Sequence, residues 1–272
     1  MVEESGLSKE LETLLQDAAI ADNLKEKAYE ETSPQIRVAL KAGIALNYQY
    51  YGAERPSYSK IQLQKEHAGY GFTTIQKPLD WTVLFLNDSY DAAARFLAAL
   101  MLPRLCFVPT VLVFFEGPPP PVLLTALELA GIETCYQGTG TLFEESISLL
   151  QGKGRILSFT SSLPKSIQEH PSLTILENTP PSVTVLEPSC FSRDLLTAMH
   201  GNVPFTQAIE RETDTLFASH KTNERLLQEK KDVPRLLLSP GCGGFWIHST
   251  LFPELFYDKQ LASYPIESDF LF

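Results

Sequence analysis

The stretch VLVFFEGPPPPVLLTALELAGIETCYQGTGTLFEESISLL, Val111 to Leu150, decides the fold. Its apolar opening, with Thr110 before it, is short and rich in β-branched and aromatic residues, which reads as a buried strand. Four consecutive prolines follow, Pro118 to Pro121. Proline fixes φ and lacks a backbone donor, so such a quartet fits neither a central strand nor a helix interior. It suits a stiff extended connection. Pro121 can then stand in a first helical turn, where a missing N–H costs nothing. VLLTALELA carries helix formers, and Gly131 lies just past its end as a stop signal. IETCYQ reads as a further strand, GTGT as a turn, and LFEESISLLQ as a helix ending near Gly152.

Working outward, WTVLFL (Trp81–Leu86) is another apolar strand, closed by Asn87-Asp88. DSYDAAARFLAALML reads as a helix that Pro103 stops, and RILSFT as a fourth strand. Strands thus alternate with helices from about residue 81 to about residue 160. That pattern predicts an α/β fold, a Rossmann-like parallel sheet flanked by helices, with right-handed crossovers. In such sheets ligands bind outside the strands' C-terminal edge, where the proline quartet begins. The quartet reads equally as a rigid loop that touches no ligand.

Upstream, Leu7 to Glu31 has helical spacing, and Ser33-Pro34 looks like the cap and first residue of a second helix to about Tyr50. Downstream, LTILEN and SVTVLEP are strand candidates, and FSRDLLTAMH reads as a helix. Ala208 to Lys231 has the pattern of an amphipathic helix, and PRLLLSPGCGGFWIHSTLF that of a strand, a glycine turn and an aromatic run. The expected organisation is an N-terminal helical segment (1–76), a Rossmann-like domain (77–200) and a C-terminal segment (201–272) that completes the domain or forms a small lobe.

The 272 residues are 44% apolar, enough for a sizeable core, and carry a formal net charge of −11. That balance argues against nucleic acid or an anionic membrane as a partner held by bulk charge. The most apolar region, Ala92 to Phe115, is interrupted by Arg95, Pro103, Arg104 and Pro109, so it reads as a helix and a strand rather than a membrane span. The first residues, MVEESGLSKELETLL, are acidic and amphipathic, unlike a signal peptide. Four cysteines stand far apart, with no CxxC pair and no Cys/His cluster at metal spacing. The expectation is a cytoplasmic protein with reduced, mostly buried thiols and no bound metal. Phe245, Trp246, Phe252, Phe256 and Tyr257 form an aromatic cluster that is either core or the surface of a homodimer.

The succession of parts from Lys77 to Pro188 resembles the cofactor domain of the aldehyde dehydrogenase and histidinol dehydrogenase superfamily. KPLDWTVLFLNDS is similar to that family's first strand and Asn-bearing turn, and AARFLAALMLPRLCFVPTVLVFFEGPPPPVLLTALELAGI to its next helix, strand, proline loop and helix. YQGTG is similar to the glycine turn after the third strand, LSFTSS to the Phe-Thr-Gly-Ser turn, and ILEN, with Glu177, to the Glu-Leu-Gly-Gly segment. The resemblance implies a divergent, shortened relative that binds NAD at the strands' C-terminal edge, with a small-molecule ligand and a homo-oligomeric state in reach. It places Asn87, Glu116, Gly138, Gly140, Phe159, Thr160 and Ser161 around the cofactor and makes Glu177 the general base.

Departures from the family pattern touch the chemistry. Phe115 or Glu116 stands where aldehyde dehydrogenases have a Lys; a carboxylate there can accept a ribose hydroxyl and would repel a 2′-phosphate. Ser161 replaces the turn glycine, which obstructs close approach of a pyrophosphate. The region expected to supply a nucleophilic cysteine, GNVPFTQAIERETDTLFAS, has none. Glu66 and His67, the pair nearest to the metal-linked residues of histidinol dehydrogenases, precede the first strand. Cys242, in PGCGGFW, is either a substitute nucleophile or a small residue in a tight turn. Glu177 is either a base or a polar strand end. Gly138-Thr139-Gly140 either admits a phosphate to the following helix or is a plain strand–helix turn. Two functions follow: a divergent NAD-dependent oxidoreductase, or a non-catalytic binding or interaction module that keeps the fold.

Overall fold

A computed structural model of the chain describes residues 7–52, 61–67, 70–176, 183–185, 188–201, 205–206, 215–217, 235–237 and 240–265. Helix α1 (Lys9–Leu15) starts on Ser8, whose hydroxyl accepts from the Leu11 amide. Helix α2 (Asp22–Glu31) follows after a break. The helical spacing of Leu7 to Glu31 is therefore not one helix. Ala19 forms an antiparallel bridge with Tyr136, and the Ile20 amide donates to the Cys135 carbonyl at 3.0 Å, so the chain leaves helical geometry to cover a strand edge. Helix α3 (Pro34–Gly52) begins as its Ser33-Pro34 signal predicts, with Ser33 Oγ accepting from the Ile36 amide.

Strands β1 (Ile61–His67) and β2 (Tyr70–Pro78) form an antiparallel pair. The alternating unit follows: β3 (Trp81–Leu86), α4 (Ala93–Leu105), β4 (Thr110–Phe115), α5 (Pro121–Ala130), β5 (Cys135–Gln137), α6 (Gly140–Leu149), β6 (Gly154–Ser158), α7 (Lys165–Gln168) and β7 (Leu173–Ile175). Pro120 has the polyproline conformation (φ −58°, ψ 141°), Pro121 is the first helical residue, and Gly131 ends α5 at φ 66°. The quartet is thus a crossover from sheet to helix. Pro103 does not stop α4 but lies in its last turn. The helix ends on Phe107, a non-glycine residue at φ 61°.

These five strands make one parallel sheet in the order β5-β4-β3-β6-β7. The first strand is central and the order reverses beside it, which is the doubly wound, Rossmann-like arrangement. Every residue of β3 is buried, as expected of a strand covered on both faces. Alternate side chains feed two clusters. Leu84, Leu86, Val113 and Phe115 pack with α4 and α5, while Val83, Phe85, Leu112 and Phe114 pack with Leu11, Leu15 and Phe143 from α1 and α6.

The remaining chain adds β8 (Val183–Val185), α8 (Arg193–His200), β9 (Phe205–Thr206), β10 (Thr215–Phe217), β11 (Arg235–Leu237) and β12 (Tyr257–Pro265). Strands β8 to β11 form a second parallel sheet in the order β11-β10-β8-β9. Strand β12 returns to pair antiparallel with β2, which completes a three-stranded arm. Thr215 to Phe217 falls inside the span read as an amphipathic helix. It is instead a strand, with all three residues buried between β8 and β11. Tertiary pairing overrides the local helix preference there.

Candidate functional site

The strands' C-terminal edge of the first sheet is a staircase. Each residue that follows a strand hooks onto the end of its neighbour. The Glu116 amide donates to Leu86 O (2.9 Å), the Gly138 amide to Phe115 O (3.0 Å), and the Phe159 amide to Phe85 O (3.0 Å). Asn87, Glu116, Gly138 and Phe159 are therefore brought to one edge, with Thr160 and Ser161 beside them. Asn87 is half-buried, Glu116 and Ser161 are exposed, and Phe159 and Thr160 are buried. The loops after β3 and β4 also touch: a Cβ added to Gly117 would lie 2.7 Å from Cβ of Asp88.

The groups that elsewhere cradle phosphates are occupied here by the chain itself. Thr139 caps α6, its hydroxyl accepting from the Leu142 amide. The Leu142 side chain folds over Gly138, and a Cβ added to Gly140 would be 3.3 Å from Pro164. The turn after β6 satisfies itself. Ser158 Oγ donates to Thr160 O (2.7 Å) and accepts from the Thr160 amide (3.2 Å), and Thr160 Oγ1 accepts from the Ser162 amide (3.0 Å). The start of α4 is buried at Ala92, Ala93 and Ala94, and Gly201 packs on it so closely that a side chain there would collide with the Asp91 carboxylate.

Between β3 and β6, where the strand order reverses, side chains fill the crevice. The Tyr90 ring lies 4.4 Å from Phe159, the His248 ring 6.0 Å from Phe159, and the Arg95 guanidinium 5.7 Å from the Tyr90 centroid. A circuit of buried hydrogen bonds runs beneath. His248 Nε2 donates to Arg95 O (2.7 Å), Arg95 Nη2 to His200 O (3.0 Å), and His200 Nε2 to Gly243 O (2.7 Å). Burial holds the His200 pKa down to about 4, and the Arg95 charge adds to that; the bond to Gly243 opposes it. Of the side chains that fill this crevice, only Phe159 was singled out in the sequence, as a cofactor-site residue. One signal was visible: Arg95 is the single charge within Ala93 to Pro103, all of it buried in α4.

The glycine turn around Cys242 has another role. Gly43 of α3 and Gly244 meet backbone to backbone, and a Cβ on either would strike the other segment's carbonyl. Cys242 is half-buried and packs on the second sheet's cluster with Phe205 and Phe245, and burial pushes its thiol pKa up. Glu66 and His67 lie in β1 of the arm. Glu177 lies outside the described residues. Among the described residues, no group of three or more His, Cys, Asp or Glu side chains could hold a metal ion, and no helix is long and apolar enough to cross a membrane. Two clefts, of about 660 and 630 Å³, lie away from the edge, one between α2 and α5 and the other beside α1 and Tyr136.

A doubly wound parallel sheet, a second parallel sheet and an antiparallel arm define the class as a two-sheet α/β protein with a Rossmann-like fold. Among solved structures the chain is similar to histidinol dehydrogenase from Elizabethkingia anophelis, at 11% identity and a TM-score of 0.59, over 95% of this chain and 80% of that one. Matches at lower scores include lactaldehyde dehydrogenase from Escherichia coli (9% identity, TM-score 0.34, 85% of this chain and 60% of that one). Betaine aldehyde dehydrogenase from Staphylococcus aureus in complex with NAD+ also matches (8% identity, TM-score 0.39, 83% and 54%). The chain thus spans little more than half the length of those two aldehyde dehydrogenases. No family model and no curated protein matches the sequence. The likeness is one of fold, and it extends the resemblance read from Lys77 to Pro188 across almost the whole chain.

Proposed function

We propose that the chain keeps the histidinol dehydrogenase fold as a binding or interaction module and does not carry out nicotinamide-dependent oxidation. One observation carries the reading: the sheet edge where a dinucleotide would sit is filled from within by Tyr90, Phe159 and His248, over a buried start of α4. The raised Cys242 thiol supports it, because the thiolate is the nucleophile. The setting is cytoplasmic and the assembly a homodimer.

The rival reading is an NAD-dependent dehydrogenase with Glu116 on the ribose, Glu177 as base and Cys242 as nucleophile. Its support is the exposed Glu116 carboxylate at the end of β4. A thermal-shift titration of the purified protein with NAD and NADP separates the two, run beside an absorbance assay with histidinol and a panel of aldehydes. A ligand at about 100 times its dissociation constant stabilises the native state by roughly 2.7 kcal/mol. The expected result is no rise in melting temperature with either cofactor at millimolar concentration and no reduction of NAD. A rise with NAD alone that Glu116→Ala removes would install the dehydrogenase reading instead.

A further inference from the structure

The circuit through Arg95, His200, Gly243 and His248 begins and ends on one loop, since Gly243 of the glycine turn and His248 belong to the same segment. It ties that loop to the start of α4 and to the last residue of α8. Helix α8 has two loyalties: Leu196 packs in the second sheet's cluster, and Met199 in the cluster on the α4 face of the first sheet. Among the described residues, the buried members of the second sheet's cluster are Val183, Val185, Phe191, Leu196 and Phe217. Among the described residues, α8 and the loop join it to the first sheet's core.

We propose that His200 is a proton-operated latch between the two parallel sheets, closed while its ring is neutral and opened when a proton is added. The geometry explains why. The neutral ring donates from Nε2 to Gly243 O, so a second proton must go to Nδ1, inside a site with no exposure to water. The charged groups around it offer that proton little relief. From α4 the neighbour is the Arg95 guanidinium, itself a cation, with the Asp91 carboxylate further along beside Gly201. From the loop come His248, bonded to the Arg95 carbonyl, and the thiol of Cys242 beyond Gly243. The charged residues of α8 itself, Arg193 and Asp194, stand exposed at its far end. The other ring neighbours are aromatic: Phe217 of the second sheet at 5.2 Å and Trp246 of the loop at 5.6 Å. A charge at His200 disrupts both sides of the seam at once, and local opening is the cheaper response.

Trp246 is a built-in reporter, and Trp81→Phe leaves it as the chain's one tryptophan. The experiment follows Trp246 emission and far-ultraviolet circular dichroism of that variant from pH 7 to pH 3. The expected result is an emission change toward a wetter environment that precedes the loss of secondary structure. In His200→Gln, which keeps a side-chain donor and takes no proton, the early step should vanish. Emission and circular dichroism changing at one midpoint, or an unaltered step in His200→Gln, would overturn the latch. A second measurement needs no variant: the His200 ring followed by NMR in the unmodified protein. Titration well below the ordinary histidine range supports the latch, and titration at the ordinary value overturns it.

Discussion

Both sheets are parallel, and they differ in the length of their strands. The first has central strands of five and six residues with packed clusters on both faces. The second has strands of two and three residues and shares a helix and a loop with the first. Long buried strands carry much of their own core, whereas strands of two and three residues depend more on what they are fastened to. Substitutions of matched size in the two sheets should therefore differ in what they unfold rather than in what they cost.

Phe85 and Phe217 make the sharpest pair, because both are buried, one in each sheet. Replacing either with Ala removes a full core aromatic, at a cost of about 4 kcal/mol. In calorimetry, Phe85→Ala should lower a single main transition. Phe217→Ala should instead split off an early step that belongs to the second sheet. One undivided transition in Phe217→Ala would mean that the sheets unfold as one unit, and the contrast would fail. Gly244→Ala tests the fastening itself. Its new methyl would run into the Ala39 carbonyl of α3, a backbone atom that cannot rotate away. The expected loss is about 3 kcal/mol, read from the denaturant midpoint. A loss under about 0.5 kcal/mol, the range of an ordinary surface change, would show that α3 and the loop are not in close register.

The same contrast explains what could be read without coordinates. Trp81–Leu86, Thr110–Phe115 and the proline crossover were legible because each is a run of local signals bounded by local breakers. Two-sided burial writes itself into composition. The arm was not legible: β2 pairs with β12 from the far end of the chain, so neither strand carries a mark of its partner. Strand β10 was hidden for a similar reason. Thr215, Leu216 and Phe217 are too few to establish a period of two within a region of helix formers. At the site, sequence order placed Asn87, Glu116, Gly138 and Phe159 at one edge, because strand ends are local. That His248 and Gly201 would fill or cover it depends on segments over a hundred residues apart, and no local pattern records that.

The smallest effect is expected on the first sheet, at the turn between α4 and β4. Phe107 holds the left-handed conformation that ends α4, with its amide donating to Arg104 O and the Val108 amide to Pro103 O. Glycine is the usual residue there, because a Cβ costs about 1 kcal/mol or more in that region of backbone space. Against this, glycine loses about 0.5–1 kcal/mol more conformational entropy on folding. Phe107 is also 44% exposed, so its ring contributes little packing that would be lost. Phe107→Gly should therefore stabilise the protein by a few tenths of a kcal/mol, seen as a rise of about 1 °C in the main calorimetric transition. The strain is tolerated because β4 is held on both sides, by β3 and β5, and sets where the turn must end. A clear loss of stability in Phe107→Gly would show instead that the exposed ring contributes more than its backbone costs, and that the first sheet too depends on contacts at its margin.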